Sequence, residues 1–209
     1  MVVKVEFHFD FGSPNAYLSY FTVKAVAART GAELKITPCL LGGIFKSTNN
    51  QPPMMNFAGV SGKNAMFMRE IERYCERHEL TQFAMNPHFP VNTIQLMRAA
   101  VAMKPSAQFA GFVDSIFQAM WEQSKKMDDS NEFAAVLQDA GFDAAGLIAE
   151  IQDPVIKQAL VDNTADSVAR GNFGAPTFFV NDEMFFGKDR LVDVEDQIMA
   201  EKTPAAPCK

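Results

Sequence analysis

The chain has only three cysteines, Cys39, Cys75 and Cys208, among its 209 residues. They show neither a C-x-x-C spacing nor the paired spacing of a zinc site, and an odd number argues against a disulfide framework. Histidine is equally scarce: His8, His78 and His88 have no mutual spacing for a metal, and no metal is expected. Long hydrophobic runs are missing too, since no segment approaches the roughly 20 apolar residues that a membrane span needs. Positive charge is in the minority, with 19 Lys and Arg against 25 Asp and Glu and a formal net charge of −6. Nucleic acid and anionic membrane surfaces select a basic face, so neither is an expected partner. An anionic small molecule is not barred, but its site would have to gather cations locally. Lys4, Glu6, His8 and Asp10 punctuate the only apolar stretch at the N-terminus, so no secretory leader is expected there. Unpaired thiols without a leader lead to the expectation of a reducing cytoplasm, where glutathione is abundant.

What is present is an ordinary globular composition, 48% hydrophobic and 21% charged, unusually supplied with Phe (19) and Met (12). Most of these belong in a core, and a few suit a pocket for a flat aromatic guest. Residues 2–11 alternate apolar and polar side chains, the period of a strand. Ser13-Pro14 then reads as a helix start, with serine as N-cap and proline at the first helical position. That helix runs to Thr30-Gly31, and Glu33–Pro38 is a second strand, giving β-α-β. Gly, Asn and Pro mark 39–53 as a loop. Helical spacing begins near Lys63, breaks at Asn86-Pro87-His88-Phe89-Pro90, and resumes at Asn92, where Gln95 three residues on suggests a capping box. Further helices are expected around Phe109 to Trp121 and over 131–140, 143–151 and 154–170. Strands at Thr177–Val180 and 184–186 flank a turn at Asn181-Asp182-Glu183, and a last helix over 189–200 precedes a Pro- and Ala-rich tail. There is no internal repeat.

Two features carry the chemistry. Ser13 stands at a helix N-terminus, where unpaired backbone N–H groups and a partial positive charge favour an anion. A thiolate there has its pKa lowered, and a serine hydroxyl adds one charge-assisted hydrogen bond. The turn reads Ser13-Pro14-Asn15-Ala16, so dithiol chemistry is excluded and the site is suited to someone else's sulfur. Plain N-capping by Ser13 is the structural alternative, and the two roles compete for the hydroxyl. Pro176, just ahead of an apolar strand, reads either as a simple strand opener or as a cis proline shaping a ligand-facing loop.

Strand, turn with a reactive residue, helix and a distant strand-opening proline resemble the thioredoxin framework. The segments Phe9-Asp10-Phe11-Gly12-Ser13-Pro14, Leu41-Gly42-Gly43-Ile44-Phe45-Lys46, Asn50-Gln51-Pro52-Pro53, Phe89-Pro90-Val91-Asn92-Thr93, Phe173-Gly174-Ala175-Pro176-Thr177 and Phe186-Gly187-Lys188-Asp189-Arg190-Leu191 occur in that order. Together they resemble the 2-hydroxychromene-2-carboxylate isomerases and the kappa-class glutathione transferases of the DsbA-like branch. The resemblance implies an α/β fold, a thioredoxin-like core with an inserted all-helical domain. The core would comprise 1–40 and 171–209, joined through the helix at 154–170, and the insertion 63–153.

It also implies glutathione as cofactor. Ser13 would contact its sulfur, Ala175 beside the cis Pro176 would pair its cysteinyl backbone, and Asp189 would take its γ-glutamyl ammonium. Asn50 matches a contacting asparagine and Lys63, more loosely, a contacting lysine. Each has a plain alternative: Asp189 as an N-cap, Asn50 as a turn former, Lys63 as a solvated lysine. Asn92 is a substrate-facing candidate as well as a capping residue, and Lys46 and Arg190 are candidate cations for a substrate carboxylate. The expected activity is conversion of 2-hydroxychromene-2-carboxylate to trans-o-hydroxybenzylidenepyruvate by reversible thiolate addition. A kappa-like transferase and a non-catalytic thiol- or peptide-binding protein are the alternatives. The expected substrate is a small aromatic carboxylate, and the resemblance implies a homodimer.

Overall fold

A sheet buried on both faces organises the molecule, and the alternation in its first strand explains how. In the computed structural model, which describes residues 2–202, the elements run β1 (Lys4–Phe9), α1 (Pro14–Thr30), β2 (Glu33–Pro38), α2 (Leu41–Thr48), α3 (Pro53–Phe57), α4 (Lys63–His78), α5 (Ile94–Met103), α6 (Phe109–Trp121), α7 (Ser130–Asp139), α8 (Ala144–Glu150), α9 (Pro154–Ala169), β3 (Thr177–Val180), β4 (Glu183–Phe186) and α10 (Leu191–Lys202). A 3-10 turn, Lys188–Arg190, precedes α10. Cys208 and the Pro- and Ala-rich tail lie outside the described residues. The sheet order is β2-β1-β3-β4, with β2 parallel to β1 and β3 antiparallel to it. The strand nearest the N-terminus is therefore central.

One face of β1 is aromatic. Phe7 stacks on Phe9 at 5.4 Å, on Phe178 of β3 at 5.5 Å and on Tyr20 of α1 at 6.1 Å. Fully burying one such side chain contributes roughly 1.5–3 kcal/mol. The same cluster continues through Phe11 to Phe117 of α6 at 4.9 Å, so sheet and helices share one continuous core. The opposite face of β1 carries His8, buried against α9 with Nδ1 2.7 Å from Ser167 Oγ. Its Nε2 lies 3.5 Å from Glu6, within ion-pair range but too far for a hydrogen bond, so that nitrogen has no hydrogen-bond partner. Burial pushes the His8 pKa down to about 4, against the pull of Glu6. The alternation of polar residues in this strand thus does not mean solvent.

The expected loop over 39–53 is corrected by α2 and α3. Its glycines and asparagines act at helix ends instead of breaking a helix. Gly43 lets α2 approach α9: a Cβ there would stand 3.2 Å from Thr164 Cγ2. Asn49 ends α2 at φ 53°, a left-handed C-cap. The expected capping box at α5 does not form. Thr93 is the N-cap, Asn92 accepts from Ile94 N at 3.0 Å, and the Gln95 amide donates to the Met127 carbonyl at 2.8 Å. The final helix begins two residues later than expected, because the chain first makes the 3-10 turn at Lys188–Arg190. Among the described residues no helix is long and apolar enough to cross a membrane.

The single tryptophan, Trp121, is fully buried and donates from Nε1 to the Phe11 carbonyl at 2.8 Å. Trp121→Phe should lower the unfolding free energy by about 1–3 kcal/mol in urea denaturation, since it orphans a buried carbonyl. His8 binds no proton in the folded state until pH falls to about 4, whereas the unfolded chain takes one near 6.5. Stability should therefore fall between about pH 6.5 and 4, by an amount on the order of 3 kcal/mol from this group. His8→Gln should flatten that part of the pH–stability curve.

Candidate active site

The site begins where β1 ends. Asp10 is 1% exposed, and its carboxylate accepts from Gly12 N at 2.8 Å and from Leu41 N at 2.7 Å. These bonds fold the chain back so that Ser13 can open α1 and Leu41 can open α2. Burial raises the Asp10 pKa, opposed by the hydrogen bonds from Gly12, Leu41 and the Thr93 side chain. Ser13 has extended backbone (φ −96°, ψ 114°), and its Oγ accepts from Ala16 N at 3.1 Å, a conventional N-cap. Its hydroxyl proton is used elsewhere, donated to the Ala175 carbonyl at 2.9 Å. Capping and outward reach therefore coexist, because a hydroxyl has one proton and two lone pairs. The hydroxyl can turn its proton toward a sulfur without surrendering the cap.

Ala175 belongs to the loop ahead of β3, and the Ala175-Pro176 bond is cis. The Phe89-Pro90 bond is cis as well, which the sequence reading did not anticipate. Gly174 packs closely here, since a Cβ would stand 2.8 Å from the Phe186 ring, which would have to shift. Phe186 in turn lies 4.3 Å from Phe173. The Asn50 amide donates to the Phe173 carbonyl at 2.8 Å and accepts from Gln51 N at 2.8 Å, tying the end of α2 to this loop.

Ser13, Asn50 and Ala175 line one cavity of about 440 Å³. Its walls are largely apolar, with Phe45, Met54, Phe57, Phe67, Phe89 and Phe186 among them. The amides Asn15, Asn50, Gln51 and Asn56 supply polar groups, and Asp10 is the only ionisable residue among those lining it. Pro176 is buried behind Ala175. The other sequence candidates do not line the cavity. Lys63 Nζ sits 4.4 Å over the Phe57 ring, one layer out. Asp189 is engaged by Lys188 Nζ at 2.7 and 2.9 Å, and Arg190 pairs with Asp193 at 3.2 Å. Lys46 and Asn92 are exposed.

A family model described as the DSBA-like thioredoxin domain matches residues 4–199. The chain belongs to that family. Among curated relatives it is similar to a 2-hydroxychromene-2-carboxylate isomerase of Sphingobium xenophagum, 27% identical over 199 residues, covering 95% of this chain and 100% of that one. It is also similar to the glutathione S-transferase kappa 1 of Rattus norvegicus, 24% identical over 200 residues, covering 90% and 87% of the two chains. The solved structure of a 2-hydroxychromene-2-carboxylate isomerase shares its fold, with a TM-score of 0.79 at 24% identity over 97% of this chain and 96% of that one. In this chain the N-terminus of α1 stands opposite the cis-proline loop, and the pair is bridged by a serine hydroxyl.

Asp10 escaped sequence reasoning as a site residue. The available signal was a carboxylate closing an apolar strand three residues before Ser13, a position that solvent does not explain. Asp10→Asn would turn an NH2 group against one of the two backbone N–H donors. Urea denaturation should show a loss of about 1–3 kcal/mol, the cost of unsatisfied buried donors.

Proposed function

We propose that the protein is a glutathione-dependent isomerase of the 2-hydroxychromene-2-carboxylate type. The observation that carries this reading is the hydrogen bond from Ser13 Oγ to the Ala175 carbonyl, between two residues that line an apolar cavity. The capping serine and the cis-proline loop face each other at hydrogen-bonding distance. A peptide-like thiol laid along Ala175 would therefore bring its sulfur to the N-terminus of α1. The residues fit the cofactor: the Ala175 carbonyl, which the Ser13 hydroxyl releases when it turns to a sulfur, a rotatable donor and a cavity of sufficient size are all present. The similarity to relatives named as isomerases of this type and as glutathione transferases supports the same cofactor.

Bound glutathione would supply a thiolate that adds to a conjugated double bond, permits rotation about the resulting single bond, and leaves again. Ser13 would donate its proton to that sulfur while its lone pair keeps the Ala16 N–H capped. Pro14 has no N–H and Ser13 engages those of Ala16 and Tyr17, so the partial positive charge of the α1 N-terminus, more than free N–H groups, would favour the anion. Ala175 would hold the cofactor backbone in register, and the Phe walls would exclude water and face an arene.

A second reading, a kappa-like transferase acting on an uncharged electrophile, is favoured by a different observation. No Lys, Arg or His lines the cavity among the described residues. A substrate carboxylate has amides to meet it there, but no cation.

The test is an ultraviolet difference titration of the protein with glutathione near neutral pH. A thiolate band is expected, diminished in Ser13→Ala, with turnover about 10–100-fold lower, as suits the loss of one hydrogen bond to a charged group. Product analysis then separates isomerisation from conjugation. Binding without a thiolate band would indicate a non-catalytic thiol-binding protein. Absence of both a band and calorimetric heat would overturn the glutathione reading.

A further inference from the structure

The loop that carries Ala175 is held from behind by a buried polar chain that the proposed chemistry does not use. Asn172 is 1% exposed and lies between α9 and β3. Its Oδ1 accepts from Gly174 N at 2.8 Å and lies 2.9 Å from Thr177 Oγ1. Thr177 Oγ1 is also 2.9 Å from the Gly174 carbonyl, so the Thr177 proton is shared between two acceptors. On the other side, Asn172 Nδ2 donates to Ser167 Oγ at 2.7 Å. Ser167 Oγ is in turn 2.7 Å from His8 Nδ1.

The hydrogen bonds of this chain run in one direction. His8 is neutral near pH 7, and Glu6 faces its Nε2, which favours the proton on that nitrogen. Nδ1 is then an acceptor, so Ser167 donates to it and must accept from Asn172. The Asn172 amide is therefore oriented, with its NH2 toward Ser167 and its oxygen toward Gly174. A reversed amide would set two donors against each other at Gly174 N. Both polar groups of Gly174 are thus engaged by side chains, immediately before the residue whose carbonyl meets Ser13.

We infer that Asn172 is a positioning residue of the site: it fixes the Gly174–Ala175 backbone so that the edge of Ala175 and the Ser13 hydroxyl meet the same ligand. The inference rests on the glutathione reading above. Asn172 touches no ligand and acts through Gly174. Its removal leaves a buried N–H without a partner, which the loop can relieve only by moving. Displacements of about 1 Å are enough to cost a reacting pair as much as 10²-fold.

The experiment compares Asn172→Ala, Asn172→Asp and Ser167→Ala with the wild type, using calorimetric titration of glutathione and the thiol pKa of bound glutathione from its thiolate band. Asn172→Ala should weaken binding about tenfold or more and raise the bound thiol pKa. Asn172→Asp keeps the acceptor for Gly174 N but sets an oxygen against Ser167 Oγ in place of the NH2, so it should recover part of the binding that Asn172→Ala loses. Ser167→Ala removes only the outer anchor and should shift both readouts less than Asn172→Ala. If Asn172→Ala does not fold, the other two variants carry the test with the same two readouts. A merely structural role would lower stability while leaving the bound thiol pKa unmoved, and that result would overturn the inference. Wild-type binding with unchanged variants would overturn this inference alone. A wild type that does not bind glutathione would overturn it together with the cofactor reading.

Discussion

The hydrogen bond between Ser13 and the Ala175 carbonyl joins residues separated by 162 positions in the chain. Everything else in the site depends on its two ends being rigid. One end is fixed by the Asp10 carboxylate, which gathers the Gly12 and Leu41 N–H groups and so sets the starts of α1 and α2 together. The other is held by Asn50 at the Phe173 carbonyl and by Asn172 at the Gly174 N–H. Neither end is free to drift, so a hydroxyl with a single proton can serve both as cap and as donor. The aromatic core supplies the platform, because β1, β3, α1 and α6 meet in one ring cluster directly beneath the turn.

The electrostatics of the cavity are unusual for a site expected to hold an anion. The protein is net negative, and the lining residues contribute a carboxyl and no cation. On the proposed glutathione reading, stabilisation of a thiolate would therefore come from oriented dipoles: the N-terminus of α1 and the Ser13 hydroxyl. The helix end is in place before a ligand arrives, the hydroxyl needs only to rotate from the Ala175 carbonyl, and neither needs a counter-charge brought out of water. Burial raises the pKa of Asp10, and the hydrogen bonds from Gly12, Leu41 and the Thr93 side chain oppose that shift. Lys46 and Arg190 stand outside the lining, so the charge of the substrate is the property on which the isomerase and transferase readings differ most.

The elements with a strong local signal were legible in the sequence. Ser13-Pro14 opens α1, Gly31 closes it at φ 63°, and the helices over 109–121 and 154–169 follow their apolar spacing. Misreadings arose where one residue type serves two purposes. Gly42, Gly43 and Asn49 look like loop formers, yet they begin and cap α2, because contact with α9 outweighs weak propensity. Asn92 and Gln95 have the spacing of a capping box, but the Gln95 amide finds the Met127 carbonyl instead. Competition of that kind is settled by partners remote in sequence.

The same division holds for the site. Local order along the chain was sufficient to determine that a serine, and not a cysteine, caps the first helix, and that a proline opens the third strand. Those facts depend only on neighbouring residues and on helix-end chemistry. Only the tertiary structure decided that the Ser13 proton reaches Ala175, that Asp10 is buried beneath the turn, and that Asn172 stands behind the loop. Each of these is a contact between distant segments whose geometry is set by close packing of β1, β3 and α9, and no local spacing encodes it. The placement of Lys46, Lys63, Asn92, Asp189 and Arg190 outside the cavity lining is of the same kind: a charge or amide can be read from a sequence, but the side on which its backbone leaves it cannot.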